Sequence, residues 1–204
     1  MRGRRCVPMI LLLLLLTACG KTESKEEQAS LREIYQSMQG CTMKAEVSCA
    51  YETLLWTGTL RCDYVPSEEI VVEVLGPETI AGVRARLQED GWQLEYEDIA
   101  LSIGALGEST LSPLTCLPRL MAALREGWLL EENRESWGEI PCLRISTDET
   151  AADGRKIMST LWLRLDDGTP LRGEITLNDQ IILTAEFTEF AFYDKILGQE
   201  SADS

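Results

Sequence analysis

The chain has 204 residues, 45% of them hydrophobic and 26% charged, the balance of one globular domain rather than of a disordered or collagen-like polypeptide. Its 34 Asp and Glu against 19 Lys and Arg give a net charge of −15, which repels phosphate backbones and argues against a nucleic-acid partner. Histidine is missing altogether, and with it the commonest general base, the usual zinc ligand and every Ser-His or Cys-His nucleophile pair.

The first residues have a processing pattern. Arg2, Arg4 and Arg5 precede an apolar run from Val7 to Leu16 that stops at Leu16-Thr17-Ala18-Cys19, the layout of a secretory signal. The run is too short for a bilayer core, which needs about 20 residues. The tetrapeptide resembles a bacterial lipobox, so residues 1–18 are expected to be a signal peptide and Cys19 the acylated first residue, anchored to the membrane through diacylglycerol. This places the protein on the outer face of the cytoplasmic membrane. Losing three arginines makes the remainder more acidic still. Residues 19–30 are polar and read as a tether, with a reach of roughly 30 Å when extended.

Leu31, Ile34, Tyr35 and Met38 then fall at helical spacing, with Gly40 where a left-handed terminating residue would sit. From Cys41 the period becomes two. Met43 to Tyr51, Leu54 to Tyr64 and Ile70 to Val74 each alternate apolar with polar residues. Ala81 to Leu87 and Trp92 to Tyr96 do the same, with Gly76-Pro77 and Asp90-Gly91 as turns. Asp98 to Thr110 reads as a Gly-containing loop. Ser112-Pro113 starts a second helix with Leu117, Leu120, Met121 and Leu124 on one face, and Pro118 suggests a kink or a separate first turn. Five strand-like segments follow: Trp128 to Glu135, Cys142 to Thr147, Ile157 to Leu165, Leu171 to Leu177 and Ile181 to Tyr193. In the last, the apolar phase passes from Ile181, Leu183, Ala185 and Phe187 to Phe190 and Phe192, which predicts a β-bulge near Thr188-Glu189.

Helix, five strands, helix, five strands gives an α+β fold, a strongly curved antiparallel sheet of about ten strands wrapped as an incomplete barrel around two short helices. The domain spans residues 31–194, and residues 195–204 form an acidic tail. The order resembles the half-barrel of LolA-like lipoproteins, and within them the GerS-type spore-germination lipoproteins. Three local elements carry the resemblance: Y-x-x-M at Tyr35 to Met38, S-P-x-x-x-L-P from Ser112 to Pro118, and T-A-E-F-T-E-F from Thr184 to Phe190. Carriers of this fold are usually not acylated, so a tethered chain departs from a shuttling role.

Signatures of catalysis are absent: no G-x-S-x-G, no S-x-x-K and no EF-hand spacing occur. Neighbouring acids such as Glu131-Glu132 and Asp166-Asp167 are expected by composition in so acidic a chain. The chain reads as a non-enzyme, and no cofactor or metal is expected. Without Cys6 and Cys19, the odd set Cys41, Cys49, Cys62, Cys116 and Cys142 remains, with no C-x-x-C spacing. They read as small buried hydrophobes, and so many free thiols fit a reducing or anaerobic setting. Trp56, Trp92, Tyr96 and Phe187 share the apolar phase of their strands and suit either core packing or a greasy concavity that takes an acyl chain. Met158 and Trp162 project opposite to Ile157, Leu161, Leu163 and Leu165, marking a second apolar face for a partner. The GerS-type resemblance implies a partner protein such as a peptidoglycan amidase, bound and positioned or activated during spore cortex processing. Two alternatives are a lipid or acyl ligand held in the half-barrel and envelope-stress sensing through an anti-sigma factor.

Overall fold

The computed structural model describes residues 31–51, 54–66, 68–88, 91–97, 99–104, 111–149 and 154–193. The expected signal peptide, Cys19, and the segments read as tether and acidic tail lie outside them. A first helix, α1 (residues 31–37), leads into β1 (Cys41–Tyr51), β2 (Leu54–Tyr64), β3 (Ile70–Gly76), β4 (Arg84–Gln88), β5 (Gly91–Tyr96) and β6 (Ile99–Gly104). The second helix, α2 (Pro113–Glu126), is followed by β7 (Trp128–Trp137), β8 (Ile140–Asp148), β9 (Ile157–Arg164), β10 (Pro170–Leu177) and β11 (Gln180–Phe192). All eleven strands form one sheet in the order β6-β5-β4-β3-β2-β1-β11-β10-β9-β8-β7. Two antiparallel meanders are thus joined where β1 pairs with β11, and among the described residues the sheet is open, with β6 and β7 as its edges.

The curved sheet on two helices is the α+β architecture expected, with one strand more. Ile99–Gly104, expected to be loop, pairs with β5. Between β3 and β4, residues 78–80 form a single 3-10 turn, so β4 begins at Arg84 rather than Ala81. α2 runs unbroken through Pro118. Its start is a capping box: Ser112 Oγ accepts from Leu114 N at 3.3 Å, and Thr115 Oγ1 accepts from Ser112 N at 3.3 Å. The apolar face then holds the helix in place, because Leu117, Leu120, Met121 and Leu124 are all fully buried, each contributing about 1.5–3 kcal/mol. That burial outweighs the backbone hydrogen bond Pro118 cannot donate.

The bulge falls where the phase shift put it. Lys44 pairs with Glu189 and Ala45 with Phe187, leaving Thr188 extra. A second bulge was not foreseen. Ile175 pairs with Leu183 and Thr176 with Ile181, so Ile182 turns inward at 3% exposure while Ile181, expected in the core phase, stands out at 48%.

Gly40 was expected in a left-handed conformation, but a different constraint operates. A Cβ there would lie 2.8 Å from Tyr64 O and 2.6 Å from the Tyr193 ring, so only glycine lets the chain pass. Gly173 marks where α2 presses on the sheet, since its Cβ would meet Leu120 Cδ1 at 2.5 Å.

The two helices cap each other. Arg32 of α1 donates to Leu124 O at 3.1 Å and to Gly127 O, while Arg125 of α2 donates to Tyr35 O and Met38 O, both at 3.2 Å. Carbonyls orphaned at each C-terminus are satisfied by the other helix's guanidinium. Tyr35 is fully buried. It donates to Gly168 O at 2.7 Å and packs edge-on against Phe192 with ring centres 5.4 Å apart.

Cys41, Cys49, Cys62, Cys116 and Cys142 are all buried, and Cys41, Cys62, Cys116 and Cys142 are free thiols. Burial pushes the Cys41 and Cys116 thiols up to about 12 and the Cys62 thiol well above its ordinary value. Burial and protonation slow the oxidation of the Cys41, Cys62 and Cys116 thiols, so these three do not by themselves require a reducing setting.

Candidate protein and ligand interfaces

Inside the half-barrel one polar cluster stands out. Arg119 of α2 meets Glu149 at 2.8 Å, and Ser159 Oγ of β9 donates to the same carboxylate at 3.1 Å. Burial raises the Glu149 pKa, against which Arg119 and then Ser159 pull it down. A carboxylate neutralised by a guanidinium is a weak base, and Ser159 is fully buried. The trio ties α2 to the sheet rather than exposing a nucleophile.

The aromatic residues proposed for a concavity do not converge. Trp56 pairs opposite Cys49. Trp92 aligns through Leu87, Ile70 and Tyr64 with Cys41, at the other end of β1, and is buried in the core. Phe187 packs against Phe190, while Tyr96 is exposed next to edge strand β6. Trp56 alone of the four lines a depression of ≈ 450 Å³ at the β1–β2 and β10–β11 hairpins. Cys49, Leu55, Ile181 and Ile182 form its apolar walls, and Ser48 and Thr184 contribute hydroxyls.

The outer face of the sheet holds the other candidates. Met158 and Trp162 do lie opposite Leu161 and Leu163, and Met158 is half-buried. Trp162, however, is only 8% exposed. Its cover comes from strand β7: the Trp137 ring sits 5.4 Å from it, tilted by 53°, and Trp162 Nε1 donates to Glu135. Arg172 of β10, paired directly with Trp162, lies 5.0 Å over the Trp137 ring and binds Glu174 at 2.8 Å and Glu186. Arg144, on the other flank, holds Glu131 at 2.8 Å and Glu135 at 3.6 Å. Trp137 lies just beyond the segment the sequence reading assigned to this strand, so its role over Trp162 had no signal short of the strand pairing.

Strand β7 itself is exposed along almost its whole length. Nine of its ten residues are exposed, and Trp128 reaches 77%, with Leu129 and Leu130 beside it. Among the described residues, β8 pairs one edge of β7 and no strand pairs the other. An unpaired edge with large apolar side chains is a template for another strand. Among the described residues no helix is long and apolar enough to cross a membrane, and no cluster of three or more His, Cys, Asp or Glu could hold a metal.

No family model matches the chain, and no curated protein is detectably similar to it. Solved structures with a similar chain course include several lipoproteins and a LolA-superfamily protein. The lipoprotein LppX of Mycobacterium tuberculosis is 12% identical, with a TM-score of 0.45 over 81% of this chain and 91% of its own. A LolA-superfamily protein of Nitrosomonas europaea is 10% identical, with a TM-score of 0.38 over 83% and 93%. A chain in the structure of the CwlD amidase from Clostridioides difficile in complex with the GerS lipoprotein is 14% identical, with a TM-score of 0.41 over 98% and 100%.

Proposed function

We propose that this chain is a membrane-tethered binding lipoprotein, without catalysis of its own, that engages a protein of the cell envelope through the open edge of β7. The exposed Trp128-Leu129-Leu130 stretch on an unpaired edge strand is the observation that carries this reading. It offers backbone groups for strand addition and apolar side chains for anchoring. The lipobox at Cys19 supplies the tether, and the lack of histidine supports a role without turnover. The partner we infer is a cell-wall-processing enzyme such as a peptidoglycan amidase, held at the membrane and positioned or activated there, as the resemblance to GerS-type lipoproteins suggests.

Substituting Trp128→Arg with Leu130→Lys places charge on this edge without disturbing the core, and is expected to abolish co-purification with the partner from membranes while leaving the unfolding midpoint unchanged. An unchanged partner profile would overturn the edge reading. A second reading is favoured by the ≈ 450 Å³ depression beside Trp56, which suits a short apolar ligand. In that case Trp56→Ala, and not the β7 variant, removes binding.

A further inference from the structure

Trp137 combines three properties. The residue is 38% exposed, its ring is held against the buried Trp162, and the cation a π face attracts is already in place as the Arg172 guanidinium. Around it stand carboxylates that are fixed yet wet. Glu186 is held by Arg172, and Glu131 and Glu135 by Arg144. Their side chains remain 45%, 53% and 40% exposed, respectively, with lone pairs open to solvent.

An indole held against the sheet beside pre-positioned acceptors fits one kind of ligand best. It must present an apolar C–H face to the ring and hydroxyl donors at its rim. A cationic ligand would compete with Arg172 for the ring, and an anionic one would meet four carboxylates, Glu131, Glu135, Glu174 and Glu186, against two guanidiniums, Arg144 and Arg172. We propose that the outer face around Trp137 binds an uncharged polysaccharide of pyranose rings with equatorial substituents, as in β-linked glucose or N-acetylglucosamine chains. The sugar ring packs on the part of the indole that Arg172 and Trp162 leave exposed, while Glu135 and Glu186 accept from its hydroxyls. This site is separate from the Trp128 end of β7 and does not rest on the edge-strand reading.

The test is biolayer interferometry of the full-length chain, in a detergent without a sugar headgroup, on immobilised chitopentaose and cellopentaose. Saturable binding is expected, and a preference for the first identifies the acetamido sugar. Trp137→Ala should weaken binding at least about tenfold, whereas Trp137→Tyr keeps a stacking ring and most of the affinity. Glu186→Gln and Glu135→Gln, which leave both indoles in place, should each cost about threefold or more, and they decide the matter if Trp137→Ala does not fold. Trp128→Ala should change nothing. No binding to either sugar, binding indifferent to both Glu variants, or equal loss in Trp128→Ala would overturn the proposal.

Discussion

Truncating Trp162 to Ala distinguishes a docking residue from a packed one. A tryptophan hot spot waiting for a partner is lost at no expense to the free protein. The structure instead places Trp162 at 8% exposure under Trp137, between Arg144 and Arg172. A buried aromatic side chain removes about 150–250 Å² from water, which at about 25 cal/mol/Å² is roughly 4–6 kcal/mol. A compact unfolded chain and the surface alanine itself would bury reduce this to about 3 kcal/mol. The indole pair adds about 0.5–1.5 kcal/mol, whereas Glu135, left without the indole N–H, faces solvent and costs little. A loss of about 3–4 kcal/mol is therefore expected, seen in urea unfolding as a lower midpoint with an unchanged m-value. Trp137→Ala, starting from a residue already 38% exposed, should lose about half as much. A double-mutant cycle should return a coupling on the order of 1 kcal/mol. A loss below about 1 kcal/mol for Trp162→Ala would refute this packing account and restore Trp162 as a docking residue.

Gly173→Ala should destabilise by about 1–3 kcal/mol through its clash with Leu120, and pairing it with Leu120→Ala should recover part of that, as a thermal-melt comparison of the three variants would show. Tyr35→Phe removes a buried hydrogen bond to Gly168 O and should cost about 1 kcal/mol in urea unfolding. At pH 8 Cys41, Cys62, Cys116 and Cys142 should not react with a thiol reagent until the chain unfolds, and early labelling of any one would contradict its burial. The same thiols set an alkaline limit. Unfolded cysteines ionise near 9, whereas folded Cys41 and Cys116 keep their protons up to about 12. Between these values the native state binds more protons, so stability falls as pH rises through that window. Cys116→Ala should flatten the fall in a series of melts from pH 8 to pH 11.

Alternation made most of the sheet legible. Met43, Val47 and Cys49 of β1 are buried as the period of two requires, and the phase change before Phe190 located the bulge at Thr188. The bulge at Ile182 was hidden because Ile181 and Ile182 are the same residue type, so either could serve the apolar phase. β6 was read as loop although Ile99 and Leu101 alternate with Ala100. As an edge strand it leaves Ile99 and Leu101 exposed, and its apolar residues mark an open margin rather than a core. Pro118 misled in the other direction, because a local propensity penalty is visible in sequence and the burial that overrides it is not.

The outward phase of Trp162 was legible for the same reason, but its cover was not, and the difference explains why a single strand's pattern is a poor guide to a site. Alternation assigns a side chain to a face. What lies over that face depends on the pairing register of the neighbouring strands. Trp137 is 25 positions away in the chain, and it meets Trp162 only because β7 pairs β8 with Trp137 opposite Ile140, and β8 pairs β9 with Arg144 opposite Trp162. A one-residue slip of either pairing would send Trp137 to the other face, leaving Trp162 bare and Arg172 without a ring to cover. The register that buries one tryptophan therefore also leaves the other exposed and flanked by fixed carboxylates. The outer face is thus a property of three paired strands, and substitutions that test it must hold that register while changing a single ring.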